Sequence, residues 1–183
     1  YKPGLIIVGS HVKLATDQLK VLLVDNSCKG LEIPVSKLAN IFALEDRQQA
    51  ILEIEYNLLS KIDDILDLEK VPVLYTSREE MKFSSYFERM TFGLELAEFM
   101  SILVRKITNK LGYIISKGGI TTQILLQKGL NFNHVNLKGQ ILPGLSIVTG
   151  DSDQYNLPVV TFPGNLGNEK TLLEVLKLMD SIS

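Results

Sequence analysis

Gly4-Leu5-Ile6-Ile7-Val8-Gly9-Ser10 is the stretch on which the fold is read. Its four central residues are all apolar, so neither side of an extended chain suits water here, and a glycine closes the run at each end. A short continuous run of this kind predicts a strand buried on both faces, as inside a parallel sheet. The signature returns at Val71–Tyr75, where Pro72 stands at the strand's beginning, the position at which a proline costs least. It returns again at Tyr113–Ile115 and at Leu157–Phe162.

The intervening segments carry helical spacing. Thr16 can cap a helix to about Val24, with Leu19, Leu22 and Leu23 on one stripe. Leu31–Val35 alternates weakly and reads as another strand. Asp46 begins a long helix on Ala50, Ile51, Ile54, Leu58 and Ile62. Residues 84–110 hold one long helix, with Gly93 its weak point. Ser116–Thr122 opens a helix that runs to about Lys128 and stops at Gly129. Residues 131–148 read as extended, turning at Pro143-Gly144, and a last helix starts near Glu169. Buried strands alternating with amphipathic helices predict a three-layer α/β fold, one largely parallel sheet flanked by helices in a single domain.

Composition agrees with that size and class. The chain has 183 residues, 45% hydrophobic and 22% charged, enough for one real core. A net charge of −2, with 19 scattered Lys and Arg, gives no electrostatic reason for nucleic-acid or anionic-membrane binding. Cys28 is the single cysteine, which excludes an intrachain disulfide and a cysteine-rich metal site and fits the cytosol. No apolar run reaches the roughly 18 residues a membrane helix needs. The opening Tyr1-Lys2-Pro3-Gly4 reads as a mature terminus or an excised piece rather than a signal peptide.

Three glycine turns follow three predicted buried strands. They are Gly9-Ser10-His11, Lys117-Gly118-Gly119 leading into Ile120-Thr121, and Pro163-Gly164-Asn165-Leu166-Gly167. If the strands are parallel, all three lie at one sheet edge, where ligands of α/β proteins bind. Glycine lets backbone approach phosphate, and the following helix offers unpaired N–H groups. A plain tight turn explains any one of them equally well; their convergence is what points to a ligand. No Walker-type loop or GxGxxG turn occurs, because Lys117 precedes its glycines. His11 lies in the first loop, either as a ligand contact or as an exposed turn residue. His134, Asp63-Asp64 and Glu79-Glu80 read as strand or surface residues, with no catalytic base and no metal cluster among them.

At these loops the sequence resembles the C-terminal, nucleotide-binding domain of the four-carbon acid sugar kinases. The resemblance rests on LIIVGSHVKLATDQL (Leu5–Leu19), VPVLYTSR (Val71–Arg78), SKGGITTQILLQKGL (Ser116–Leu130), GQILPGL (Gly139–Leu145) and VVTFPGNLG (Val159–Gly167), in the family's order. It implies ATP held here with Mg²⁺, and transfer of the γ-phosphoryl group to a hydroxyl of a small sugar acid. Ser10 and His11 would contact the nucleotide from the first loop. Lys117, Gly118, Gly119, Ile120 and Thr121 would cradle phosphates, with Gly164, Asn165 and Gly167 closing the site. The sugar acid and the catalytic aspartate belong to an N-terminal domain absent from this chain, so residues 1–183 alone should be inactive. An apolar surface is expected where that domain packs, which would also serve a homo-oligomer. Two positions depart from the family: Ile120 replaces an acid, and Phe162-Pro163-Gly164 replaces Lys-Ser-Gly. They leave a second reading, a nucleotide-binding regulatory module without catalysis.

Overall fold

The computed structural model describes residues 2–79, 81–150 and 157–182. The predicted runs fold as β1 (Gly4–Val8), β3 (Val71–Thr76), β4 (Tyr113–Lys117) and β7 (Val159–Phe162), joined by β2 (Cys28–Ile33), β5 (Val135–Leu142) and β6 (Leu145–Gly150). They form a seven-stranded sheet in the order β2-β3-β1-β4-β7-β6-β5. β2, β3, β1, β4 and β7 run parallel, while β6 and β5 add an antiparallel hairpin turned at Pro143-Gly144. Pro72 falls opposite Lys29 of β2, and the pairing of β3 with β1 begins only at Val73, so its missing N–H breaks no bond on the β1 side.

Among the described residues six α-helices cover the sheet: α1 (Lys13–Leu23), α2 (Val35–Phe42), α3 (Gln48–Asp67), α4 (Tyr86–Ile107), α5 (Gly119–Ile124, continued as a π-turn over Leu125–Gly129) and α6 (Thr171–Ile182). Side chains of β1 alternate between two cores, as period-two geometry requires. Leu5 and Ile7 face α2, α3, α4 and the end of α5; Ile6 and Val8 face α1 and α6. This is the three-layer α/β arrangement the sequence predicts, closed around its own core. No helix among the described residues is long and apolar enough to cross a membrane.

Two sequence expectations shift. Val35 does not end β2 but starts α2, whose Val35, Leu38 and Ile41 are buried; Pro34 stands immediately before it, where the absent N–H is no loss. Thr16 does not cap α1, which begins one turn earlier at Lys13 with Val12 as its first boundary residue, and Thr16 N–H donates to the Val12 carbonyl. The shift matters for function, because it places the start of α1 directly on the loop that follows β1.

The two helix layers set the direction in which each strand leaves the sheet. α1, after β1, and α6, after β7, pack on one face; α5, after the central β4, joins the other. Adjacent parallel strands whose helices part to opposite faces open a crevice at their carboxyl ends. In this chain β4 parts from both of its neighbours.

Candidate functional site

At that crevice the three glycine turns interlock. Gly9 N–H donates to the Lys117 carbonyl at 3.1 Å, and Gly118 N–H donates to the Phe162 carbonyl at 2.9 Å. Gly118 holds φ at +122°, a conformation that residues with a Cβ rarely adopt, and its Cα packs on the Ser10 backbone. A side chain at Gly9 would collide with Thr121, and one at Gly164 with the Ser10 hydroxyl. Ser10, Gly118 and Gly164 therefore meet at one point. Gly119 is different: a Cβ there meets nothing within 4 Å, so its backbone faces open space.

The start of α5 is fixed from below by Thr122, whose hydroxyl donates to the Ser116 side chain at 2.9 Å and lies 3.1 Å from the Ser116 carbonyl. Ile120 stays exposed at 57% while Thr121 is buried. Lys117 is fully buried on the α1/α6 face. Its ammonium donates to the Pro163 carbonyl at 3.0 Å and lies 3.8 Å over the Phe162 ring, and burial brings its pKa down to about 8. Lys117 thus ties the third turn to β4. Asn165 is exposed, and Gly167 (φ +83°) packs on Thr171 at the entry to α6. Gln18 of α1 pins that entry by donating to the carbonyls of Leu166 and Asn168.

A cavity of about 420 Å³ adjoins these turns on the α4/α5 side. Gly9, His11, Ile120 and Thr121 border it from the glycine turns, and Thr76, Arg78 and Arg89 bring polar groups from β3 and α4. Its floor is Phe83, Phe92, Leu96 and Met100. His11 Nε2 lies 3.0 Å from Thr76 Oγ1. Burial of the ring, then the guanidinium groups of Arg78 and Arg89, hold His11 below the ordinary imidazole range, so it is neutral at pH 7. Arg78 Nη1 donates to the Ser10 carbonyl at 2.5 Å. Glu79 accepts from Ser36 N–H and from the Ser77 hydroxyl, which hold its carboxyl below the usual carboxylate range. One oxygen of that exposed carboxylate anchors the start of α2, so Glu79 is a surface residue as the sequence predicts, while Glu80 lies outside the described residues.

Ser10, Gly118 and Gly164 are thus brought into contact, and His11, Ile120 and Thr121 line the cavity; Asn165 and Gly167 do not border it. Sequence reasoning missed Thr76, Arg78 and Arg89. The available signal was positional: Thr76 and Arg78 lie at a fourth strand end, on the same edge, beside β1. No group of three or more His, Cys, Asp or Glu stands together among the described residues. Glu79 is the single carboxylate among the described residues that line the cavity, so those residues offer no carboxylate cluster to hold Mg²⁺.

Residues 5–172 match the model of a family described as the nucleotide-binding C-terminal domain. No curated protein matches the chain. Among solved structures it is similar to a Bordetella bronchiseptica protein described as a domain of unknown function, crystallised with bound citrate as a domain-swapped dimer. The two are 16% identical with a TM-score of 0.73, over 97% of this chain and 41% of that one. A Haemophilus influenzae protein of the same domain type is 16% identical with a TM-score of 0.64, over 100% of this chain and 42% of its own. At such identities the likeness shows the fold, and the chain spans about two fifths of the length of these structures.

Proposed function

The chain belongs to the family of nucleotide-binding C-terminal domains, and from that premise we propose that it is the ATP-holding half of a kinase acting on a hydroxyl of a small, four-carbon-type sugar acid. The observation that carries the reading is the interlocking of three glycine turns at the crevice around β4. Gly119 would present its backbone N–H to phosphate while Gly118, its own N–H held by Phe162, shapes the turn; Ser10 and Thr121 would add hydroxyls, and His11, Ile120, Lys117, Gly164, Asn165 and Gly167 would form the surround. The start of α1 adds further N–H groups that no side chain caps. Phosphoryl transfer depends on positioning and charge neutralisation more than on covalent participation, so a backbone-lined cradle is a sensible half of such an enzyme. Mg²⁺ would arrive on the nucleotide's own phosphates and neutralise their charge.

The sugar acid and the proton-accepting carboxylate fall to a second domain outside residues 1–183, and the isolated chain should turn over no sugar acid. The cytosol, where ATP is plentiful and Cys28 stays reduced, is its proposed compartment. A second reading, a nucleotide-responsive module without catalysis, draws on exposed Ile120 at the cavity border and on Lys117, whose ammonium is spent on Pro163.

Calorimetric titration of the chain with ATP and ADP, with and without Mg²⁺, tests the binding half. Gly119→Asp is the informative variant, because the open space around Gly119 leaves the fold intact while a carboxylate repels phosphate. Saturable binding that disappears in Gly119→Asp is expected. Equal binding by parent and variant would remove the glycine turns from the site.

A further inference from the structure

Arg78 is half-used. Its Nη1 holds the Ser10 carbonyl, yet Nε and Nη2 are both closed off from solvent and have no hydrogen-bond partner. These two nitrogens share one edge of the guanidinium, the edge spaced to grip two oxygens of a single carboxylate or phosphoryl group. Leaving such donors buried and unsatisfied is costly, and native structures generally reserve that state for a site that something else completes. Neither Arg78 nor Arg89 forms an ion pair among the described residues. Glu32 and Tyr75 are the groups whose charge reaches Arg78, and burial outweighs them by holding the guanidinium below its ordinary pKa.

The space beside this edge is also built. The cavity that Arg78 and Arg89 border has an apolar floor of Phe83, Phe92, Leu96 and Met100, and Glu79, the one carboxylate among its described lining residues, gives one oxygen to Ser36 and Ser77. Two guanidinium groups against the one carboxylate of Glu79 among the described lining residues leave an excess of positive charge over apolar walls, which selects a ligand with an oxyanion at one end and a flat or apolar body. We infer that this cavity is an oxyanion-ligand pocket, in which the free edge of Arg78 turns to grip a phosphoryl or carboxylate group and Arg89 adds charge at the border. The inference stands on side-chain geometry; only the assignment of the oxyanion to a nucleotide rests on the function proposed above. The apolar floor favours that assignment, since it offers a polyhydroxylated chain no partners.

Gly93 supplies a test that does not endanger folding. It lies inside α4, borders the cavity, and has nothing within 4 Å of an added Cβ, so Gly93→Leu fills the pocket while improving helix propensity. Arg78→Lys keeps the charge and loses the two-pronged edge. Parent and both variants are titrated with ADP, inorganic pyrophosphate, citrate and threonate, and melted without ligand to verify the fold. The expected result is a loss of about tenfold or more in affinity in both variants for at least one oxyanion probe, as for losing a charge-assisted bidentate contact. Losses confined to ADP and pyrophosphate assign a phosphoryl group; losses confined to citrate and threonate assign a carboxylate. Unchanged affinities in both folded variants, or no binding of any probe to the parent at millimolar concentration, overturns the inference. Arg78-dependent binding of citrate or threonate by a chain that ignores ADP would leave the pocket standing and sink the nucleotide reading.

Discussion

Over β1, β4 and β7 the sheet edge is held mainly by backbone, Gly9 on Lys117 and Gly118 on Phe162, with Gly164 closing against the Ser10 side chain. Next to it, beyond β3, the same edge is held by side chains from distant segments, with Arg78 reaching Ser10, Thr76 meeting His11, and α4 supplying the cavity floor. The two regions differ in what they tolerate. At Gly9, Gly118 and Gly164 the glycine region has no room for added atoms, so it fails when a side chain is inserted there. The cavity region depends on atoms already present and fails when they are removed. A junction of glycine turns and a side-chain pocket thus sit edge to edge, sharing Gly9 and the start of α5, with Ser10 joined to the pocket through Arg78.

The largest expected effect comes from removing atoms on the cavity side. Met100 is 2% exposed and packs in the core beneath the pocket. Met100→Ala should cost about 2–5 kcal/mol, because the void it leaves cannot collapse against space that is already empty. At this chain length that is a fall of very roughly 2–4 °C in melting temperature per kcal/mol. A loss below about 1 kcal/mol by urea denaturation would show that the floor is loosely packed and blunt the contrast between the regions.

Adding atoms on the glycine side should cost less but discriminate more sharply. Gly118→Ala forces a Cβ into φ +122° against the Ser10 backbone and should destabilise by about 1–3 kcal/mol. Gly119→Ala, one residue on, meets open space and should stay within about 0.5 kcal/mol of the parent. Equal costs at the two positions would mean that the turn does not hold the interlocked geometry described above.

The contrast also explains what was legible in the sequence. Backbone-built features announce themselves locally: the run Leu5–Val8, its bounding glycines and the turns after β4 and β7 were all readable, because a buried parallel strand and a tight turn each constrain consecutive residues. Side-chain-built features do not. Arg78 and Arg89 gain meaning only when β3 is placed next to β1, and a scattered guanidinium looks like surface charge until its neighbours are known. α2 was hidden for a related reason. Val35 continues the apolar count of β2, and the break lies in Pro34, whose missing N–H suits a helix start better than a strand end. Lys117 was legible as a residue beside the glycines but not as a buried one, since its side chain turns to the α1/α6 face instead of the open crevice.

Lys117 is the one long side chain embedded in the backbone-built region, and its titration gives the smallest and most pointed prediction. Its folded pKa of about 8 lies below the ordinary lysine value of 10.5. Below pH 8 both folded and unfolded chains carry the proton, and the cost of a buried ammonium is borne in full. Between pH 8 and 10.5 the folded chain has released the proton while the unfolded chain still binds it, so stability should rise with pH across that window. The Cys28 thiol, pushed by burial from 9.0 up to about 11, acts in the opposite sense, and its contribution falls away as pH rises through that range. The two are separated by Lys117→Met, which retains the length and removes the charge. Parent minus variant stability, from urea melts at a series of pH values, should climb between pH 8 and 10.5 while the Cys28 component cancels. A flat difference curve would mean that the ammonium is solvated and free to meet phosphate, making the β4 turn a side-chain site as well as a backbone one.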